Sequence, residues 1–300
     1  MIRLLPYGLL IACLAASGGL LAQTAAPATD TSYWNRSFSF GVNFNQASFS
    51  GNWTAGGVNS IAVGSLLLAK ADYERGPHSW ENVLDMQYGV VSNEGQGFRK
   101  TADRLFFDSK YGRAISPKWD LFVATNFLTQ FAQGFRYEEN PQGGERARKI
   151  SDLLAPAFLT AAWGFEFKPD DYFRLRLSPF SPRLTFVNDT TLYRNVPQNY
   201  GVEIGERVRY EWLAAQIMAT YERTFNERLT VQSRYQLFAN YETLAADAVD
   251  HRFDLSVAAQ VTRFISVNLS TTVLYDIDQD SGVQLAQTLG IGFLITTKDD

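Results

Sequence analysis

The feature that most constrains this chain is an alternation of apolar and polar residues that begins near residue 37 and recurs up to the C-terminal region. A period of two residues is typical of a β-strand, whose successive side chains point to opposite faces. No helical spacing competes with it over these segments. In one segment, the apolar or threonine side chains that share a face are Trp119, Leu121, Val123, Thr125, Phe127, Thr129 and Phe131. The pattern predicts an all-β protein.

The length of the alternating segments separates two kinds of all-β protein. Strands of soluble sandwiches cluster around five or six residues, whereas alternation here holds for about 12 to 15 residues. A tilted strand of about 9 to 11 residues crosses a membrane. The polar face is also too charged for a dry core, since it carries Asp85, Arg104, Asp108, Lys110, Arg174, Arg176, Arg234, Arg252 and Asp254. We therefore predict a transmembrane antiparallel up-and-down β-barrel, apolar outside and polar inside.

The segments number about twelve, and even numbers are preferred by single-chain membrane barrels. We predict strands at 37–50, 60–75, 79–91, 101–114, 118–132, 152–168, 171–187, 206–225, 227–241, 249–262, 264–276 and 282–297. The connections between these strands alternate between short and long. The long ones fall near 51–59, 92–100, 133–151 and 188–205. With the N-terminus inside, the short turns are expected in the periplasm and the long loops outside the cell.

The N-terminal segment predicts export. Residues 1–22 have a charged start at Arg3, an apolar stretch and a small-residue cleavage site after Ala22, as in a secretory signal peptide. A lipoprotein box ending at Cys13 is the alternative. Residues 23–36 are expected to be a disordered lead, and 37–297 the barrel. We therefore expect the protein in the outer membrane of a Gram-negative bacterium.

Removal of the signal segment would leave 26 basic residues against 31 acidic ones, a net charge of −5. This acidic balance argues against a nucleic-acid partner. Cys13 is the only cysteine, so a chain cleaved after Ala22 has neither disulfides nor thiolate metal sites. We expect no cofactor and no catalytic residues.

Aromatic residues make up 14% of the chain and fall near the strand ends. Two belts are expected at the headgroup level of a bilayer. The residues expected at the periplasmic rim are Trp80, Trp119, Tyr172 and Phe225, and those at the outer rim are Tyr88, Phe131, Tyr241 and Tyr275.

Several strings carry a family resemblance. They are Gln46–Ser60 (QASFSGNWTAGGVNS), Arg99–Asp103, Thr129–Phe131, Gly134–Tyr137, Ser178–Pro179, Leu184–Val187 and Tyr200–Gly205. Together they resemble the uncharacterised "domain of unknown function 3078" family of outer-membrane proteins, over about residues 34–297. The resemblance implies a barrel of unassigned activity and supplies no catalytic residues. Many barrels end on an aromatic residue, but this chain continues past Phe293 to Asp300.

The glycine-rich part of the first string, Asn52–Gly57, lies between the first two predicted strands. Paired glycines and asparagine favour a tight ordered turn. A loop that grips a ligand is the alternative interpretation.

Three further patterns point only weakly to chemistry. A lipid hydrolase would need His78 or His251 beside a serine, and no serine lies two residues beyond His251 on the same face. Asp276, Asp278 and Asp280 imitate the start of a calcium loop, but Ser281 and Gln287 stand where such a loop needs Gly and Glu. We interpret this segment as a solvated turn, with a weak surface calcium site as the alternative.

The basic run Arg146, Arg148 and Lys149 lies in the third long loop. Charge runs in loops are usually solvated, and binding of anionic lipopolysaccharide is the alternative. Outer-membrane lipid, lipopolysaccharide and envelope proteins are the expected partners.

The interior of the barrel is the strongest candidate for a functional site. Opposed charges can either seal a narrow lumen or line it as a selectivity element. The candidates are Arg104, Asp108, Arg174, Arg176, Arg234, Arg252 and Asp254. The inner-face residues Phe122, Leu128 and Leu274 could instead favour a path for apolar substrates.

Our first hypothesis is a passive channel or diffusion transporter for small solutes. The second is a non-conducting barrel that acts as a scaffold, adhesin or subunit of an envelope complex.

Overall fold

The computed structural model describes residues 33–50, 52, 54–55, 57–141, 143–226, 228–262 and 265–298. The predicted signal peptide, the Cys13 alternative and the lead up to residue 32 lie outside these residues. The first strand begins at Trp34, so the last three residues of the predicted disordered lead are strand. Among the described residues, no helix is long and apolar enough to cross a membrane.

Sixteen strands and three short 3₁₀ helices make up the described chain. The strands are β1 (Trp34–Ala47), β2 (Ser60–Arg75), β3 (His78–Asn93), β4 (Arg99–Ser116), β5 (Trp119–Thr129), β6 (Gly134–Glu139), β7 (Glu145–Ser151), β8 (Ala157–Phe167), β9 (Phe173–Phe180), β10 (Arg183–Phe186), β11 (Val208–Glu211), β12 (Ala214–Phe225), β13 (Leu229–Asn240), β14 (Asp250–Gln260), β15 (Ile265–Asp276) and β16 (Asp280–Lys298). The 3₁₀ helices are Leu192–Arg194, Asn199–Gly201 and Ala246–Ala248.

The strands close into one antiparallel ring. Its order is β1, β2, β3, β4, β5, β8, β9, β12, β13, β14, β15 and β16, and β16 pairs with β1. Strand β10 extends the position of β9, and β11 extends that of β12. The ring therefore has twelve positions, and the predicted antiparallel barrel is confirmed.

Two predicted strands are broken where they were expected to be continuous. The 171–187 strand stops at Phe180 and resumes at Arg183, and the 206–225 strand is interrupted at residues 212–213. Pro179 and Pro182 lack the N–H that a central strand needs, which accounts for the first break. The register between β8 and β9 shifts at the same level.

The distribution of side chains is the inverse of that in a soluble protein. On β1, the outward-facing Phe38, Phe40, Val42 and Phe44 are 37–49% exposed, and the outer apolar side chains of β16 are 59–69% exposed. Lys110 and Glu166, which face inward, are fully buried. Because apolar surface is exposed around the ring and charge is buried within it, the environment that suits this exterior is lipid.

Aromatic side chains gather at both ends of the ring. Trp80 contacts Trp34 at the end that carries the short turns, with ring centroids 5.9 Å apart. At the opposite end Tyr88 contacts Phe131 at 5.5 Å. These two ends are called the short-turn end and the long-loop end below.

Two of the predicted long loops have structure of their own. The 133–151 loop contains the β6–β7 hairpin, whose strands are too short to span a membrane. The 188–205 loop carries two of the 3₁₀ helices and packs against the segment after the hairpin. The buried apolar residues of that contact are Ala155, Val187, Leu192, Val196, Tyr200 and Val202.

Candidate functional site

All seven candidate side chains predicted from the alternation lie in the lumen. Six of them line a cavity of about 1400 Å³, and Arg252 lines a smaller cavity of about 170 Å³ toward the long-loop end. Arg104 lines both cavities. The period-two backbone explains this placement, since Arg104, Asp108 and Lys110 share one parity on β4 and so point to one face.

One side of the lumen is filled by a charge network on β3, β4, β8 and β9, called the packed side here. The Nζ of Lys110 lies 2.5 Å from Glu166 and 2.9 Å from Glu81. Arg176 donates to Asp108 at 2.8 Å and to Glu166 at 3.0 Å. Arg174 stands farther off, 3.7 Å from Glu81. Lys110 and Glu166 at the centre of this network are fully buried, so solvent is excluded there, while Arg174 and Arg176 face the larger cavity.

The opposite side, called the open side, is formed by β1, β2, β3, β15 and β16. Here the cavity is lined by small polar side chains, by the inward Leu66 and Leu68 of β2, and by charged side chains of β2 and β3, namely Lys70, Asp72, Glu74 and Asp85. The polar residues include Ser37, Ser39, Asn43, Asn268, Ser270 and Thr288. Short hydroxyl and amide side chains leave room that the long charged side chains of the packed side occupy.

Two ion pairs cross the lumen between opposite walls, and a third spans part of it. Lys70 of β2 pairs with Glu222 of β12 toward the short-turn end. At mid-height Arg104 of β4 lies 3.6 Å from Asp254 of β14. In each pair the two strands are six positions apart in the ring of twelve. These two contacts therefore bridge opposite walls.

The third ion pair lies near the long-loop end and joins strands that are three positions apart in the ring. Arg183 of β10 donates to Asp250 of β14 at 2.7 Å and to Glu211 of β11 at 2.9 Å. Its guanidinium also lies 3.5 Å from the ring centroid of Phe238. Arg183, Phe238 and Asp250 line the smaller cavity, so this contact narrows it.

Several residues of this network were not among the predicted candidates. Glu81 and Glu166 complete the packed side, and Lys70, Glu222 and Arg183 take part in two of the ion pairs that span the lumen wholly or in part. For the two glutamates the alternation itself could have indicated an inward position. Glu81 has the same parity as Asp85 on β3, and Glu166 lies on the inner face of β8. Only the closed ring shows which charges meet.

The three predicted calcium candidates do not converge. Asp276 is buried and accepts hydrogen bonds from the side chain of Gln279 at 2.7 Å and the backbone N–H of Asp278 at 2.9 Å. Asp278 forms an ion pair with Arg209 of β11, and Asp280 accepts from the N–H of Gly282. Nowhere in the described part of the chain do three or more His, Cys, Asp or Glu side chains gather as metal ligands would.

Both histidines lie beside tyrosines. The Nδ1 of His251 is 2.7 Å from the hydroxyl of Tyr235, and that of His78 is 2.6 Å from the hydroxyl of Tyr111. The hydroxyl beside each histidine is therefore that of a tyrosine, not that of the serine expected for a lipid hydrolase.

The loop after β1 supports the turn interpretation of the glycine-rich string, of which Gly51, Trp53 and Gly56 lie outside the described residues. Asn59 accepts from the N–H of Phe49 at 2.5 Å and donates to Glu94 at 2.8 Å. Gly57 has a φ of +147°, and a Cβ there would lie 2.7 Å from the Phe49 ring. Local bonds and a position that suits glycine are what an ordered turn requires.

The basic run in the β6–β7 hairpin is largely paired with acids of the same region. Arg148 lies 2.9 Å from Glu138. Lys149 lies 2.9 Å from Asp152 and also pairs with Asp189 of the 188–205 loop. Hydrogen bonds from Lys149 and Thr191 lower the pKa of Asp189 to about 2. This contact, called the loop lock below, ties the hairpin to that loop.

Ring closure, an apolar exterior and a charged lumen define the class: this is a transmembrane antiparallel β-barrel. The model of a family described as "Protein of unknown function (DUF3078)" matches residues 44–135. The predicted resemblance is confirmed over that segment, which spans the end of β1 to the start of β6. The strings at residues 178–187 and 200–205 lie outside the match.

No curated protein matches the chain in sequence. Among solved structures, the COG4313 outer membrane channel from Pseudomonas putida F1 is similar at 10% identity and a TM-score of 0.39, covering 91% of this chain and 100% of that one. The translocator domain of autotransporter NalP from Neisseria meningitidis is similar at 9% identity and a TM-score of 0.35, covering 87% of each chain. The P. putida toluene transporter TodX is similar at 7% identity and a TM-score of 0.27, covering 89% of each. Likenesses this remote do not bear on the activity of this chain.

Proposed function

We propose that this protein is a narrow passive channel of the bacterial outer membrane, through which small polar solutes diffuse. The observation that carries the proposal is the cavity of about 1400 Å³ in the lumen, lined on its open side by short polar side chains. Such a lining replaces part of a solute's hydration and leaves no deep binding well, as conduction requires.

The shape of the lumen supports a narrow path. The packed side excludes solutes, so passage would follow the wall formed by β1–β3 and β15–β16. The ion pairs of Lys70 and Arg183 constrict the two ends of this path. Outer-membrane lipid would surround the apolar exterior, and lipopolysaccharide would meet the long-loop end, where Arg146 is exposed.

The second candidate is a non-conducting barrel that serves as a scaffold for other envelope proteins. The specific observation in its favour is that ion pairs join opposite walls at two heights of the lumen and span part of it at a third. If these pairs persist in the membrane, they seal the lumen and stiffen the ring.

Solute uptake into liposomes separates the two candidates. The purified protein is reconstituted, and swelling is measured in arabinose and in the trisaccharide raffinose. A channel of this kind admits arabinose and excludes raffinose. Removal of the crossing cation in Lys70→Ala should speed arabinose entry, whereas Lys118→Ala, a change at an exposed turn, should leave it unchanged. Swelling no faster than in protein-free liposomes would reject the channel and favour the scaffold.

A further inference from the structure

One arginine in the lumen is left without an acidic partner. The side chain of Arg234 on β13 forms no ion pair or hydrogen bond within the described part of the chain, and its guanidinium lies 4.0 Å from the ring centroid of Phe106 on β4. It also lines the larger cavity. A guanidinium has five N–H donors, so in Arg234 their partners must come from the cavity.

The acid nearest in register to Arg234 is already engaged. Asp254 lies directly opposite Arg234 on the neighbouring strand. Its two oxygens accept from Nε and Nη2 of Arg252 at 2.9 and 3.0 Å, and one also accepts from Thr272 at 2.8 Å. Because the bidentate contact holds this carboxylate, Arg234 stays unpaired although an acid faces it.

A second arginine at the same height of the lumen, Arg104, has partners for only some of its N–H donors. Arg104 lies 3.3 Å from Asp85 and 3.6 Å from Asp254, but its buried Nε and Nη2 have no hydrogen-bond partner within the described residues. Arg104 also approaches Phe106, at 5.4 Å. Two guanidiniums thus converge on one aromatic ring from opposite walls of the barrel.

The charge of this level follows from its members. Arg104, Arg234 and Arg252 face Asp85 and Asp254, and these five side chains are called the mid-lumen cluster. Three cations against two anions leave one excess positive charge, and Arg234 is the cation of the cluster that makes no direct ion pair within the described part of the chain, whereas Arg104 and Arg252 do. Asp108 belongs to the packed side, where Arg176 donates to its Oδ2 at 2.8 Å and where Lys110, Arg174 and Arg176 balance Glu81, Glu166 and Asp108; its Oδ1 has no hydrogen-bond partner among the described residues.

We propose that the mid-lumen cluster is a binding site for small monovalent carboxylates, with Arg234 as the residue that binds them. This inference rests on the proposed channel function and names its substrate class. A carboxylate matches the planar fork of arginine. A single negative charge neutralises the one excess cation, whereas a dianion would meet repulsion from Asp85 and Asp254. A neutral solute gains only hydrogen bonds from Arg234 and no attraction between charges, and a cation is repelled by the excess positive charge.

Two measurements test the site, one of which does not depend on conduction. Binding of benzoate to the detergent-solubilised protein is followed by saturation-transfer NMR, with benzyl alcohol as the neutral control. Wild type should bind benzoate in preference to benzyl alcohol, and Arg234→Gln should weaken benzoate binding by about tenfold, as expected for loss of one unit charge in a partly hydrated site. Arg36→Gln, the same change at an exposed position of β1, should have no effect.

The second measurement is the reversal potential of reconstituted protein in a gradient of potassium benzoate. If the proposal holds, the wild-type channel conducts benzoate in preference to potassium. This preference should fall about tenfold in Arg234→Gln and should be partly kept in Arg234→Lys. Conduction without this preference would overturn the site and leave the channel standing. Arg234-dependent benzoate binding without conduction would support the site and reject the channel. No preferential binding and no conduction would reject both.

Discussion

Lys110 is the residue on which the packed side depends most. Its Nζ lies between two carboxylates, 2.5 Å from Glu166 and 2.9 Å from Glu81, and Lys110 and Glu166 are fully buried. Lys110→Met keeps much of the side-chain volume but removes the charge. Two carboxylates then share the site with Arg174 and Arg176 alone. Breaking a buried ion pair on one side costs about 3–5 kcal/mol, and we expect the free energy of unfolding to fall by that amount.

The assay is urea unfolding of the protein in lipid vesicles, followed by tryptophan fluorescence. Adding Glu166→Gln to the Lys110→Met variant removes one of the stranded charges and should recover about 1–3 kcal/mol. Lys118→Met makes the same chemical change at an exposed turn and should cost less than about 0.5 kcal/mol. If Lys110→Met costs no more than Lys118→Met, the packed side is hydrated and the reasoning fails.

Two further predictions concern the seam between β8 and β9 and the loop lock. Gly164→Ala places a Cβ 1.9 Å from the carbonyl oxygen of Leu177, whereas a Cβ at Gly97 meets nothing within 4 Å. In the same unfolding assay, Gly164→Ala should lower the free energy of unfolding by at least about 2 kcal/mol and Gly97→Ala should change it little. Equal costs of the two changes would refute the close approach of β8 and β9. The loop lock should respond to pH with a definite sign, because the pKa of Asp189 is lowered to about 2 and that of Lys149 is raised. Its contribution is present above the ordinary pKa of Asp and is lost as pH falls toward 2. On the alkaline side it is present below the ordinary pKa of Lys and is lost as pH rises through the raised pKa of Lys149. Amide hydrogen exchange of residues 188–205, corrected for intrinsic rates, should therefore accelerate in the wild type as pH falls from 4 to about 2. The same pH change should not accelerate exchange in Asp189→Asn. A wild-type exchange rate that does not change over this range would contradict the loop lock.

The ring could be predicted from the sequence because a period of two residues fixes which side chains share a face. The inward placement of Arg104, Asp108 and Arg234 follows from parity alone. The partners of these charges could not be predicted in this way. Contact between Arg104 and Asp254 depends on ring order and on the stagger of opposite strands, neither of which alternation encodes.

Local chemistry accounts for the rest of the differences. Pro179 and Pro182 signal a break that the length-based prediction of one strand over 171–187 ignored. The buried position of Asp276 arises from a turn that folds toward Arg209, so a run that reads as solvated is partly enclosed. The β6–β7 hairpin escaped prediction because its short alternation lies inside a segment interpreted as a loop.

The central claim is that the lumen conducts, and planar-bilayer recording of the purified wild-type protein tests it most directly. We expect steady, small currents that scale with salt concentration and that grow in Lys70→Ala, where one crossing ion pair is removed. A wild-type protein that inserts into the bilayer yet passes no current at any potential, with Lys70→Ala equally silent, would contradict it.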